Sequence, residues 1–173
     1  MLDIVLRKVN IEGRLVDVGI AGDTIVQVEP EITAAAYKEI DGKNQVAITG
    51  FVDCHLHLDK SRLMERASYQ DVSGPEKGAL TRAQKTTFTE QDILTRAEKV
   101  VRTGLRAGNI AIRTSADVDP LVSLTGVKAL LNLKHKYAGV VDIQVTAFAQ
   151  EGMEKYPETE GLLRQALALG ADL

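Results

Sequence analysis

His55 and His57 stand two residues apart in the run Phe51-Val52-Asp53-Cys54-His55-Leu56-His57-Leu58-Asp59. Residues i and i+2 of a strand project to the same face, so two imidazoles so placed can converge on one cation, with Zn–N distances of about 2.0–2.1 Å. Asp59 has the same parity and could act as an acceptor that fixes a histidine tautomer. A bare H-x-H pair is a weak motif, and two ordinary structural histidines are the alternative. Its placement strengthens the metal reading, because the pair closes an apolar run that opens a series of alternating strands and helices. Active sites of barrel enzymes are built at that end of a strand. In a regular strand Cys54 points away from the two histidines and reads as a buried structural thiol. His135, among Lys134, Lys136 and Tyr137, reads as a solvated residue near a helix C-terminus, where its protonated form suits the dipole.

The elements that must position this pair follow from periodicity. Ile4–Leu6, Leu15–Val18 and Thr24–Val28 are rich in β-branched and aliphatic residues, with Glu12-Gly13 and Gly22-Asp23 as turns, and together predict a small β meander. After Val46-Ala47-Ile48 and Gly50 comes the histidine strand. Residues 60–88 show no clear period, and a structureless segment of that length is usually functional or mobile. Thr89 with an acidic residue three positions on predicts a helix start, followed by Ile93, Ala97, Val100, Val101 and Leu105 at helical spacing. Ile110–Thr114 predicts a strand, Pro120 a helix start, Val140–Phe148 a third strand, and Leu162–Leu169 a helix ending at Gly170. Strands alternating with helices predict βαβ units and a parallel sheet. Ala171-Asp172-Leu173 reads as the approach to a fourth strand.

The chain has 173 residues, 45% hydrophobic, enough for one ordinary core. Net charge is −3 with the two signs intermixed, which argues against nucleic acid and against a membrane surface as partners. A single cysteine fits a reducing compartment. There is no signal-peptide pattern at Met1 and no apolar run of roughly 20 residues. A cytoplasmic location is expected.

Three stretches carry a family resemblance. Gly50–Asp59, with its "HLHLD", resembles the first barrel strand of the amidohydrolase superfamily in its cytosine-deaminase-like branch. Ile112-Arg113-Thr114-Ser115-Ala116-Asp117-Val118-Asp119 is similar to that branch's second-strand "RTHVDV" segment, and Asp142–Gly152 to its third-strand "DLQIVAFPQEG" segment. The three occur in the family's order across nearly the whole chain. The resemblance implies an α/β fold: an incomplete (β/α)8 TIM barrel, its first three βα units in residues 50–173, preceded in residues 1–49 by part of a small β-sandwich domain and a lead-in. A complete barrel typically needs about 250 residues.

The same resemblance implies that His55 and His57 are metal ligands for one divalent ion, zinc or iron, and that Gln150 binds the substrate through its carboxamide, whose one acceptor and two donors suit the edge of a pyrimidine or triazine. It implies hydrolytic deamination of a cytosine-like pyrimidine or aminotriazine with release of ammonia. The family's remaining ligands and its proton-shuttling glutamate come from later strands, so no catalytic residue is expected within this chain, which is expected to be inactive alone. The family's second-strand histidine is Ser115 here, which puts substrate identity in question. Two other readings stay open: another H-x-H amidohydrolase of the dihydroorotase or hydantoinase kind, or a truncated non-catalytic subunit. The expected partners are a nucleobase-like small molecule and, through open strand edges, another copy of the chain or a missing C-terminal part.

Overall fold

The structure, a computed structural model, describes residues 1–66 and 74–173. The chain divides into two compact units, Met1–Thr49 and Gly50–Leu173.

The first unit is a four-stranded sheet in the order β3-β2-β1-β4, built from β1 (Leu2–Ile11), β2 (Arg14–Ala21), β3 (Thr24–Glu29) and β4 (Ala36–Asp41). The first three form the expected antiparallel meander, and β4, which the sequence pattern did not announce, lies parallel to β1. Along β1 the register shifts between Leu6 and Val9: three steps on β1 oppose two on β2, from Val18 to Val16. The extra residue falls at this bulge, where Lys8 has φ +52°. The Lys8 N–H instead donates to Asp17 Oδ1 at 2.9 Å, and Asp17 Oδ2 accepts from Ile32 N at 3.1 Å and Arg7 Nη1 at 2.8 Å. Arg7 also reaches Glu39 on β4, 2.7 Å away. Asp17 is buried, and burial by itself disfavours its charge, but Arg7 and the two amides outweigh that and hold its pKa below the ordinary carboxylate value.

The second unit is a three-stranded parallel sheet, β5-β6-β7, from β5 (Phe51–Leu56), β6 (Asn109–Asp117) and β7 (Asp142–Phe148). The helices are α1 (Gly74–Lys85), α2 (Glu90–Arg106), α3 (Thr125–Lys136) and α4 (Thr159–Leu169). One face of the sheet is covered: Ile112, Ala116, Ile143 and Val145 pack with Ile93, Ala97 and Val101 of α2 and Val127, Leu130 and Leu133 of α3. Each fully buried aliphatic side chain here contributes about 1.5–3 kcal/mol. On the other face Arg113 pairs with Gln144 and is exposed, and Val52 is 63% exposed. Thr89 caps α2 by accepting from Asp92 N, as its pattern predicts, and Gly170 ends α4 at φ +109°. Beyond it Asp172 N donates to Val145 O and Leu173 O accepts from Ala147 N, both at 2.8 Å, so the last residues pair alongside β7.

Three expectations change. Pro120 does not open α3: Asp119 Oδ1 gathers the Leu121 and Val122 amides into a turn, Ser123 adopts φ +50°, and the helix begins at Thr125. Of residues 60–88, 67–73 lie outside the described residues, and the rest are not without structure, for α1 lies among them. Its buried residue is a lysine, Lys85, so a search for apolar periodicity could not see it. Cys54 is exposed rather than buried. Leu56 pairs with Thr114 while Asp53 pairs with Ile112, so β5 carries one extra residue between them and is not regular around Cys54. His135 is exposed in the last turn of α3, as expected. Among the described residues no helix is long and apolar enough to cross a membrane.

Replacing Asp17 by Ala leaves two backbone amides and Arg7 without their shared acceptor. The expected loss is about 1–3 kcal/mol, read from urea unfolding of the first unit. Because the folded pKa is lowered, the difference between the two proteins is full above about pH 4 and disappears as the pH falls through the lowered value. A variant unfolding like the parent at pH 7 contradicts this role.

Candidate metal centre and adjoining cavity

β5 ends at Leu56 and the chain enters a 3-10 turn, Leu58–Lys60, with His57 at its start. The Leu58 N–H donates to Thr114 Oγ1 at 3.0 Å, which ties the turn to the middle of β6. Leu58 is wholly buried among the core side chains, so the residue after it is carried inward as well. Asp59 is only 2% exposed. Its Oδ2 accepts from Asp117 N and its Oδ1 from Lys60 N, each at 2.9 Å. Gly126, near the start of α3, permits this closeness: a Cβ there would lie 3.4 Å from that of Asp59. Burial first, and the nearby Asp117 second, push the Asp59 pKa up to about 6.

Asp117, at the end of β6, is almost completely buried and faces three groups. Its Oδ1 accepts from Lys60 Nζ at 2.7 Å and lies 3.9 Å from His57 Nδ1. Its Oδ2 lies 2.6 Å from Lys85 Nζ, an ion pair without hydrogen-bond alignment. Lys85, 2% exposed at its side chain, also contacts Asp119 Oδ2 at 3.0 Å and Glu151 Oε1 at 3.3 Å. Burial works against its charge, but Asp117 and then Asp119 outweigh it and raise the pKa above the ordinary lysine value.

His57 Nδ1 is buried and, among the described residues, has no hydrogen-bond partner. It stands 3.9 Å from Asp117 Oδ1 and 4.0 Å from Asp59 Oδ1. Burial, then Lys60, lowers the His57 pKa, which favours the neutral ring that a cation requires. His57, Asp59 and Asp117 bring one ligand atom each within 4.8 Å of one another, a grouping with the donors for a cation. The two carboxylates already receive backbone amides and the Lys60 ammonium. At these distances neither accepts a hydrogen bond from Nδ1, but their negative charge favours a proton on that nitrogen, which leaves the lone pair of the other ring nitrogen for a cation. His55 is exposed, its ring 5.4 Å from that of His57 at 79°.

Beside this centre lies an open cavity of about 990 Å³, lined in part by Lys60, Lys85, Asp117, Gln150 and Glu151. Gln150 sits in the turn after β7, and its Oε1 accepts from Lys60 Nζ at 3.1 Å. Of the three site residues expected from sequence, His55 and His57 lie together, and Gln150 is joined to them through Lys60 and Asp117. The sequence reading gave no role to Lys60, Lys85 or Asp117. Asp117 and Asp119 sat in plain view in the second motif at two-residue spacing, but only the fold brings a lysine from α1 between them.

No family model matches the chain. It is 33% identical over 181 residues to the N-isopropylammelide isopropyl amidohydrolase of Pseudomonas sp. (strain ADP). Its homologues are amidohydrolase superfamily members. The match covers 99% of this chain and 44% of that relative, whose N-terminal portion it matches. Among solved structures it is similar to N-isopropylammelide isopropylaminohydrolase from Burkholderia multivorans ATCC 17616, with TM-score 0.87 and 31% identity, over 100% of this chain and 44% of that one. It is also similar to 5-methylcytosine deaminase from Klebsiella pneumoniae liganded with 5-fluorocytosine, with TM-score 0.85 and 28% identity, over 97% of this chain and 42% of that one. The chain thus spans less than half the length of these relatives.

Replacing Lys85 by Met leaves Asp117 and Asp119 buried without their common counter-charge. Removing one partner of a buried ion pair costs about 3–5 kcal/mol. Urea unfolding of the second unit measures it, and a loss below about 1 kcal/mol, the scale of a surface ion pair, contradicts the role given to Lys85.

Proposed function

We propose that this chain is the N-terminal part of a metal-dependent amidohydrolase that hydrolytically removes an amino substituent from a cytosine-like pyrimidine or an aminotriazine. The observation that carries the proposal is His57: Nδ1 buried against two carboxylates, its other nitrogen left for a cation, at the C-terminal end of a strand in a parallel sheet. The likeness to the N-isopropylammelide hydrolases and to 5-methylcytosine deaminase supports the ring class. In this reading the second unit supplies the first three βα units of a (β/α)8 barrel, the first unit supplies part of a small β-sandwich domain, and the protein is cytoplasmic.

His55 and His57 hold one divalent cation, zinc or iron. The donor set fits, since both are imidazoles and burial lowers the His57 pKa, which favours the neutral ring. Such a cation, when bound, acidifies water and polarises the ring carbon under attack. The chain's own contribution is orientation and binding. The charges of Asp59 and Asp117 beside Nδ1 favour the His57 tautomer that carries its proton there, Lys85 holds Asp117, and the Gln150 amide grips the ring edge. A catalytic site of this kind uses three protein ligands and an acid–base group, and this stretch supplies two ligands.

The full-length protein is therefore expected to release ammonia from cytosine or an aminotriazine in a metal-dependent way. His57→Ala should lose both bound metal and turnover, while a polypeptide of these 173 residues gives none. Ammonia release with and without added Zn²⁺ or Fe²⁺, together with metal analysis, decides it. Turnover that survives His57→Ala, or metal-dependent turnover by the 173-residue polypeptide, removes the proposal.

The edge of β5, the part of the β7 edge that the last residues do not pair, and the open face of the sheet need cover, because unpaired strand edges and exposed apolar side chains promote association. We expect a polypeptide of these 173 residues to self-associate, with the apparent mass in sedimentation velocity rising with concentration. A single compact monomer at every concentration contradicts the barrel reading.

A further inference from the structure

We propose that Thr114 is a positioning residue for the metal centre: its hydroxyl, by accepting the Leu58 N–H, fixes the peptide that follows His57 and so sets where the His57 ring stands. This deepens the function proposed above and rests on His57 being a metal ligand. The ladder of β5 does not reach far enough to hold that residue. Asp53 pairs with Ile112 and Leu56 with Thr114, the register shifting between them, and the strand ends at Leu56. His57 follows at φ −120° and ψ 79°, outside both the helical and the extended regions. Its direction therefore depends on what grips the turn after it.

Thr114 supplies the grip. It is wholly buried, on the face of β6 that Ile112 and Ala116 turn toward the helices, and its Oγ1 accepts from Leu58 N at 3.0 Å. Leu58 is also 0% exposed, so water does not stand in for the hydroxyl. A β-branched side chain has few rotamers, and one packed among aliphatic neighbours keeps its oxygen aimed in one direction. The same strand holds the turn a second time, through Asp117 N on Asp59 Oδ2 at 2.9 Å. Two contacts to β6 thus anchor the peptide after His57 and one of the carboxylates beside its ring. Metal ligands must sit within about 0.2 Å of their ideal distances, so a turn released at Leu58 would weaken the site although no ligand had changed. Thr114 faces the helices rather than the cavity and touches neither cation nor substrate. It acts through the backbone of the turn alone.

The test is the affinity of the full-length protein for Zn²⁺, measured by competition with a chelating dye, with circular dichroism to verify that each variant is folded. Thr114→Val keeps the shape of the side chain and removes the acceptor, and Thr114→Ser keeps the acceptor. Thr114→Val should lose at least about tenfold in affinity, as removal of groups that orient metal ligands does, while Thr114→Ser stays near the parent. Should Thr114→Val not fold, Thr114→Ala against Thr114→Ser reads the same hydroxyl. Leu133→Ala, a truncation in the core toward the other end of α3 from Gly126, controls for lost stability and should leave the affinity unchanged. A folded variant without the hydroxyl that binds Zn²⁺ like the parent, or a loss that Leu133→Ala matches, overturns the inference and leaves the metal reading intact. If His57→Ala binds Zn²⁺ like the parent, His57 is not a ligand, and the metal reading fails together with the inference.

Discussion

The carboxylate of Asp117, buried at the end of β6, is the constraint on which the second unit's functional end depends. An ionised carboxylate removed from water is costly unless its oxygens are met by positive charge and hydrogen bonds. Two lysines from different parts of the chain, Lys60 after the first strand and Lys85 from α1, meet that demand. Each is then fixed by the same requirement, because a buried ammonium needs acceptors as much as the carboxylate needs donors. The result joins the ends of β5, β6 and β7 to α1 through one set of charges.

That network also explains how a motif of two histidines becomes a directed site. An imidazole in a strand end can present either nitrogen. Here Asp59 and Asp117 stand on the Nδ1 side of His57, and the buried, unpartnered Nδ1 leaves the other nitrogen as the free donor. Burial lowers the pKa of the ring and so favours its neutral form, and the closeness of Asp59 to α3 is possible because residue 126 has no side chain. Packing and hydrogen bonding around the proposed metal site are thus set by the same few residues.

The first unit solves a different problem by similar means. A bulge in β1 frees the Lys8 N–H from the ladder, and Asp17 on the neighbouring strand accepts it together with Ile32 N and Arg7. The exposed aliphatic residues of β3, Ile25, Val26 and Val28, are a surface that a larger β-domain would cover, consistent with the proposal that this unit is part of one.

Much of this was legible in the sequence because the signals are local. Alternating aliphatic residues specify strands, helical spacing from Ile93 to Leu105 specifies α2, and Thr89 and Gly170 mark helix ends through geometry confined to a few residues. His55 and His57 are proposed as ligands because their spacing is two, and Gln150 as a substrate contact because its motif resembles a family's. What only the tertiary structure decided are the long-range partners. Lys60, Lys85 and Asp117 are separated by 25 residues or more, and nothing in the local pattern of a lysine says whether it will be solvated or buried between carboxylates. α1 escaped notice because the residue it buries is charged, and Cys54 was misplaced because a one-residue bulge in β5 breaks the alternation on which a face assignment rests. Periodicity reports which residues leave water along one element, whereas charge pairing depends on which elements the fold brings together.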